Sequence, residues 1–336
     1  PERGAHPPIL FLMDAPGIRE ELYEMARRLA TVGYYVLLPN LYYRAGRDTK
    51  YGPDVLEHGS AEHTRMRAPR HALKIVHETP VSAMFDGGNN VGMVTMYQAT
   101  QAAIAKAREH GFAVVGVNNS WVSGRGAHYV ELMANAGLIG LHTVSSTRHV
   151  APPGASRPST GTNPIAFGFP TLDDPLVIDL GTSAFMSTDM QFRQRRKELL
   201  PEGVAIDTNG APTRDPDAVG ALLAFGGYKG FALALAAQAL GVFAGSGIDQ
   251  EGNYGYLMMA MKPDLMLPLE DYRRQLSATL ARIKATPRQP GVDEIRLPGE
   301  RSFREREKNL REGIVIDRFI YDALLATPDG ELQPYR

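Results

Sequence analysis

The chain has 336 residues, 43% of them hydrophobic and 22% charged, with a formal net charge of −1. That composition supplies a sizeable core and offers no electrostatic case for nucleic acid or an anionic membrane surface. Cysteine is absent, which excludes disulfides, thiol nucleophiles and cysteine-ligated metals.

The opening PERGAHPP has no basic stretch leading into an apolar run, so no signal peptide is expected. The longest apolar stretch, 231–244, is shorter than the ~20 residues that cross a bilayer. Both features give the expectation of a cytoplasmic protein. Residues 9–15 (ILFLMDA) suit a buried strand. Residues 19–33 show helical spacing, with Leu22, Met25, Ala26 and Leu29 on one face and Gly33 as the stop, and 34–38 suit a second strand. Strand, helix and strand with short links predict a βαβ unit with parallel strands. From 44 to 70 the chain is polar and rich in turn signals, a linker candidate.

A new globular pattern starts near His71. A helix is expected over 92–110, stopped by Gly111, then a strand over 112–117, a helix over 129–136 and strands over 138–144, 164–169 and 176–180. The almost wholly apolar helix expected over 230–244 implies burial on all sides. A strand is possible over 254–261, and 270–285 and 301–311 are amphipathic and charged.

Three segments carry candidate chemistry. Gly161-Thr162-Asn163-Pro164 is a tight turn that suits a phosphate or ribose contact, or is an ordinary Asn-Pro turn. Asp179 stands at the carboxyl end of a strand, where ligands collect, just before Gly181-Thr182-Ser183; it can equally cap a helix. Gly226-Gly227-Tyr228-Lys229-Gly230 opens the apolar helix, where free amides and a lysine make an anion site, although glycines before a helix are common. It lacks Walker spacing, and Gly124-x-Gly126 lacks the third glycine of a dinucleotide fingerprint, with Val130 near its place. The nine histidines include no HExxH pair, so no metal site is expected, and no GxSxG elbow occurs.

In order, DGGNNVG (86–92), AIAKAREHG (103–111), VVGVNNS (114–120), AGLIGL (136–141), GTNPIAFGFPT (161–171), VIDLGTS (177–183), LPEGVAIDTNGAPTRDP (200–216), GGYKGFALAL (226–235) and LPGER (297–301) closely resemble the malate/L-lactate dehydrogenase family over about 70–316. The resemblance implies an α/β fold that is not of Rossmann type, binding NAD or NADP, in a homodimer whose active sites lie near the subunit interface. It implies hydride transfer between the nicotinamide and a small-molecule 2-oxo/2-hydroxy acid or cyclic imine, with a histidine as acid/base. By the same resemblance Thr162, Asn163 and Pro164 line the cofactor, with Asp179 and Thr182 close by. Gly227 and Lys229 meet a phosphate or the substrate carboxylate, and Pro298, Gly299 and Glu300 close the pocket.

Two departures stand out. The family's NSxHFG histidine is replaced by Val122, an alkyl group that neither gives nor takes a proton, which leaves His128, His142 and Tyr228 as alternative donors. The family's amino-terminal SHGxxR region is missing; His58-Gly59 imitates it, but Glu62 stands in the arginine's place. Instead, 9–44 and through 67 resemble the opening βαβ of dienelactone hydrolases of the α/β-hydrolase fold, leaving that pattern before its nucleophile, acid and histidine. Two domains are expected, 1–68 and 69–336. The leading function is a 2-oxo acid dehydrogenase or imino-acid reductase. The alternative is a nicotinamide-binding homologue with lost or weak catalysis.

Overall fold

In the computed structural model the described residues are 8–10, 20–31, 35–38, 73–246 and 254–326. The chain divides into two compact units, Pro1–Arg70 with Ser302–Arg336, and His71–Arg301. In the first, β1 (Pro8–Leu10) and β2 (Tyr35–Leu37) pair in parallel around α1 (Glu20–Thr31), the arrangement that the hydrophobic spacing predicts. Leu22 is buried on α1, but Met25, expected beside it, is exposed. The rest of the strand expected over 9–15 and the whole linker candidate over 44–70, with His58 and His63, lie outside the described residues.

The second unit is built on a seven-stranded sheet. Its strands are β3 (Lys74–Thr79), β4 (Ser82–Val91), β5 (Phe112–Trp121), β6 (Ile139–Ser145), β8 (Ile165–Phe169), β9 (Leu176–Leu180) and β12 (Gly255–Met261). They lie in the order β3-β4-β5-β12-β6-β8-β9. Only β4 and β5 are parallel neighbours, joined through α2 (Gly92–His110); every other pair is antiparallel. A mixed sheet of this kind is not the parallel, doubly wound sheet of a Rossmann domain.

Helix α2 buries Met96, Ala99, Ala103 and Ala107 along one stripe and ends where Gly111 takes a left-handed φ of 86°. With α3 (Gly126–Asn135) it packs on the sheet, so that Phe85, Val115, Val117, Tyr129, Met133, Tyr256 and Met258 form the main core. A smaller sheet of β10 (Ala205–Asp207), β11 (Val219–Leu223) and β7 (Val150–Ala151) has its own core around Leu200 and Leu222, beside α4 (Ser187–Arg196). Helix α5 (Tyr228–Phe243) lies on β6 and β12, and α6 (Leu269–Lys284) follows β12. The charged segment expected over 301–311 is α7 (Glu300–Glu312), followed by α8 (Arg318–Ala326). Among the described residues no helix is long and apolar enough to cross a membrane.

One expectation is overturned. Helix α5 is not buried on all sides: Gly230, Ala234, Ala237 and Gly241 form its buried stripe, while Leu235 is 49% and Phe243 70% exposed. The reason lies in the small residues. Without side chains to fill space, the α5 backbone sits close against the sheet, and the larger apolar side chains project away from it. At Gly241 an added Cβ would stand 2.1 Å from Ser145 Oγ, and a Cβ at Gly255 would stand 2.2 Å from the Gly241 carbonyl oxygen.

Helix propensity alone would have Gly241→Ala stabilise the protein by up to ~1 kcal/mol. The close contact reverses that sign: we expect a loss of about 1–3 kcal/mol from overpacking, measured by denaturant unfolding. A gain in stability would show that α5 can stand away from β6.

Candidate cofactor and substrate site

One group of residues lies at the carboxyl end of β5, around Val122, and a second at the start of α5. At the first, β4 runs four residues from Asp86 to Asn90 while β5 runs two from Asn118 to Ser120, so β4 bulges. The sequence Gly87-Gly88-Asn89 makes this possible. A Cβ on Gly87 would stand 2.7 Å from the Asn119 carbonyl oxygen, and Gly88 and Asn89 take φ of 59° and 55°. Asp86 Oδ1 accepts from the Gly88 amide at 2.9 Å and from Asn119 Nδ2 at 2.7 Å. These two bonds, the amide first, hold the Asp86 carboxyl below its ordinary pKa against partial desolvation. Ser120 Oγ donates to the Asn90 carbonyl at 2.7 Å and shares a hydrogen bond with Thr95, and the Trp121 indole N–H donates to the Asn89 carbonyl at 3.2 Å.

This pinning leads the chain into Val122 at φ 49°, with half of the residue exposed. A β-branched residue in the left-handed region is strained. The backbone at this point is therefore set by its neighbours rather than by valine's own preference.

The second group is held together by backbone. The Thr182 amide and hydroxyl both donate to the Thr162 carbonyl, at 2.8 and 2.9 Å, and the Thr182 carbonyl accepts from the Phe225 amide at 3.1 Å. The Phe225 carbonyl in turn accepts from the Gly230 amide at 3.0 Å. Thr162, Thr182, Gly227 and Lys229 are thereby brought together. Asn163 is fully buried at φ 34°. Its Oδ1 accepts from the Ser146 amide, and its Nδ2 donates to the Ala234 carbonyl and to Gln238 Oε1. Pro164 follows, its carbonyl accepting from the Val144 amide. The side chains of Asn163 and Thr182 thus shape the turn from inside, while Tyr228 and Lys229 stand exposed at the start of α5, whose first turn has no side-chain cap.

Asp179 links the two groups. Its Oδ2 accepts from the Ala127 amide at 2.8 Å in the first turn of α3, four residues after Ser123. Partial desolvation raises its pKa above the ordinary carboxylate value, opposed by that amide and by the charge of Arg125. A helix cap was one of the two readings open from sequence; the helix capped is α3, not the one that follows in the chain. Pro298, Gly299 and Glu300 occupy the turn into α7, where Glu300 accepts from the Leu297 amide at 3.1 Å and pairs with Lys284.

The three alternative proton donors lie in different surroundings. His128 is exposed on α3, edge-on to Tyr129 at 5.5 Å, and Tyr228 is 71% exposed. His142 is inside the core. Its Nδ1 bonds the Leu257 carbonyl at 3.1 Å, its ring lies parallel to that of Tyr256, and its Nε2 is buried without a hydrogen-bond partner. Burial lowers its pKa to about 4. Among the described residues no group of three or more His, Cys, Asp or Glu is placed to hold a metal.

Sequence reasoning missed the Asp86–Asn119 contact and the exposure of Trp121. For Trp121 a signal was present, the chain's one tryptophan in an otherwise polar segment; the pairing of Asp86 with Asn119, 33 residues apart, left none.

Comparisons with known proteins place the chain by family and fold. Residues 61–325 match the malate/L-lactate dehydrogenase family, and residues 1–110 match the dienelactone hydrolase family. Where the two overlap, 73–110 form β3, β4 and α2 of the seven-stranded unit. The chain is 32% identical over 271 residues to a malate dehydrogenase of Pyrococcus abyssi, covering 75% of each. It is 34% identical over 247 residues to a Δ1-pyrroline-2-carboxylate/Δ1-piperideine-2-carboxylate reductase of Pseudomonas putida, covering 69% of this chain and 70% of the relative. The solved sulfolactate dehydrogenase of Methanocaldococcus jannaschii superposes with a TM-score of 0.69 at 32% identity, over 76% of this chain and 77% of that one.

The buried His142 has a consequence for stability. Its folded pKa, about 4, lies below the ordinary 6.5, so the unfolded chain takes up the proton more readily. Its contribution is complete above pH 6.5 and is lost as pH falls toward 4, by roughly 3 kcal/mol in all. Between pH 7 and pH 4.5 the wild type should lose roughly 2 kcal/mol more than His142→Phe in denaturant titrations. Equal losses would place His142 in contact with water.

Proposed function

The chain belongs to the malate/L-lactate dehydrogenase family, and on that premise we propose that it binds NAD(H) or NADP(H) and reduces a 2-oxo acid or cyclic imino acid. The observation that carries this reading is the start of α5. Gly226 and Gly227 take φ of 55° and 62°, a Cβ at Gly227 would meet open space, and no side chain caps the helix beside the exposed Lys229. Uncapped amides and a cation suit a phosphate or a carboxylate. Thr162 and Thr182 hold this corner in place through the Phe225 backbone, so the donors are preorganised rather than recruited.

When bound, the nicotinamide supplies the hydride. The chain's own residues bind and orient: Lys229 and the α5 amides take negative charge, and Trp121 and Val122 keep water from the reacting face. We further propose that the protein is a cytoplasmic homodimer. The exposed apolar side of α5, with Leu233, Leu235, Val242 and Phe243, supports the dimer. Residues 1–68 bring no elbow nucleophile, so the hydrolase-like segment does not add ester hydrolysis.

Calorimetric titration should show saturable binding of at least one nucleotide by a protein of dimeric mass in light scattering. Lys229→Ala should weaken that binding about tenfold without shifting the melting temperature. No heat with either nucleotide at millimolar concentration would sink the proposal, and an unchanged dissociation constant would remove Lys229 from the site.

A second reading, a nicotinamide-binding homologue with little turnover, is favoured by Val122 itself. An alkyl group there cannot pass a proton, and general acid/base catalysis is worth roughly 10²–10⁴-fold in rate. Val122→His should raise turnover of 2-oxo acids and introduce a pH dependence near neutrality, while His142→Phe should leave the rate unchanged. Vigorous native turnover that vanishes in His128→Ala or Tyr228→Phe would instead identify the true donor.

A further inference from the structure

Three large apolar side chains are exposed where the end of β5 approaches the start of α2. Trp121 is 41% exposed, Val122 50% and Met93 55%. They are held there by close backbone contact. A Cβ on Gly92 would lie 2.7 Å from the Ser123 backbone, and one on Gly124 would lie 3.1 Å from Met93 Cγ, so the first turn of α2 and the 122–124 loop touch. The polar end of Trp121 is spent on the Asn89 carbonyl. What it presents to solvent is ring.

The charges nearby are already engaged. Asp86 is kept ionised by the Gly88 amide and Asn119, with Lys74 across the β3–β4 pairing as its counter-charge. Arg125 acts on Asp179. The exposed ends of β5 and α2 are therefore apolar, and the ionised Asp86 bonds Asn119, two residues before Trp121. A substrate with a second carboxylate would lose solvation on Trp121 and meet repulsion from Asp86. A branched aliphatic or aromatic side chain would bury area on all three residues.

We propose that Trp121, with Val122 and Met93, forms the wall that receives the substrate's side chain, and that it selects 2-oxo acids with bulky apolar side chains over dicarboxylates. The inference rests on the proposed nicotinamide-dependent function, because that reading sets the oxo carbon beside Val122. Trp121 is the chain's one tryptophan, so its emission reports on this wall alone.

The test is equilibrium binding to the full chain saturated with oxidised nucleotide, so that no turnover is needed. By calorimetry, 4-methyl-2-oxopentanoate should bind at least about tenfold more tightly than oxaloacetate, and it should change the tryptophan emission. Trp121→Ala should bring the ratio to about one, whereas Trp121→Phe, which keeps a ring, should retain most of the preference. Equal or reversed preference in the wild type, or a preference that survives Trp121→Ala, overturns the proposal while leaving the nicotinamide function standing. So does an emission that follows protein concentration and not the acid, which would mean that a second copy covers the wall. If neither nucleotide binds, the proposed function fails and this inference falls with it.

Discussion

The buried side chain of Asn163 is the contact on which the candidate site most depends. It bonds the Ser146 amide beyond β6, the Ala234 carbonyl inside α5 and Gln238 one turn further on. One residue in a left-handed conformation thereby fixes a strand end, a turn and a helix against each other. Leaving those partners unpaired in the interior would cost on the order of 1–3 kcal/mol for each group. An asparagine suits the place because it tolerates positive φ and carries both a donor and an acceptor. The adjoining Gly161, where a Cβ would stand 2.0 Å from Ser146 Oγ, leaves no room for a substitute arrangement.

Strain is concentrated at this turn and at the ends of β4 and β5. Among the described residues five non-glycine residues take positive φ; four are Asn89, Asn119, Val122 and Asn163, and the fifth is Lys197 at the end of α4. Three of the four are asparagines, which hold such conformations at low cost. Val122 does not share that tolerance, and its neighbours must supply the difference through Asp86, Ser120 and the Gly92 contact. The bulge in β4 has the same origin. Gly87 lets the chain pass the carbonyls of Asn118 and Asn119 at a distance no side chain would permit.

Much of this was legible in the sequence, and what was not has physical reasons. Helix α2 and its Gly111 stop, β9 and the start of β5 follow from apolar spacing and turn residues, which are local signals. The β3–β4 hairpin escaped notice because β3 is an edge strand with little buried surface and β4 ends in the polar, glycine-rich bulge. The exposed side of α5 was misjudged because an apolar helix reads the same whether its large residues face a core or project from it; only the register of Gly230, Ala234, Ala237 and Gly241 tells them apart. Of the site, the three glycine-containing turns could be named from sequence. Asp179 bonding Ala127, and Asn119 bonding Asp86, could not, because residues 52 and 33 apart in the chain leave no periodic trace.

The replacement at Val122 separates two tasks that share one location. Holding a substrate there, as proposed, requires a fixed backbone, and the 119–124 segment is tied at Asn119, Ser120 and Trp121 and closed against α2. Passing a proton requires a group that titrates near neutrality and reaches the same point. His142, whose ring is fully enclosed and bonded to Leu257, is sealed from it. Moving that ring outward would break the core contacts with Tyr129 and Tyr256. On the proposed function, the backbone shape of the site and the supply of a proton therefore rest on different residues, the proton on whichever surface group, His128 or Tyr228, can approach the bound acid. Shape and proton supply are set by different residues, so a change in one need not disturb the other.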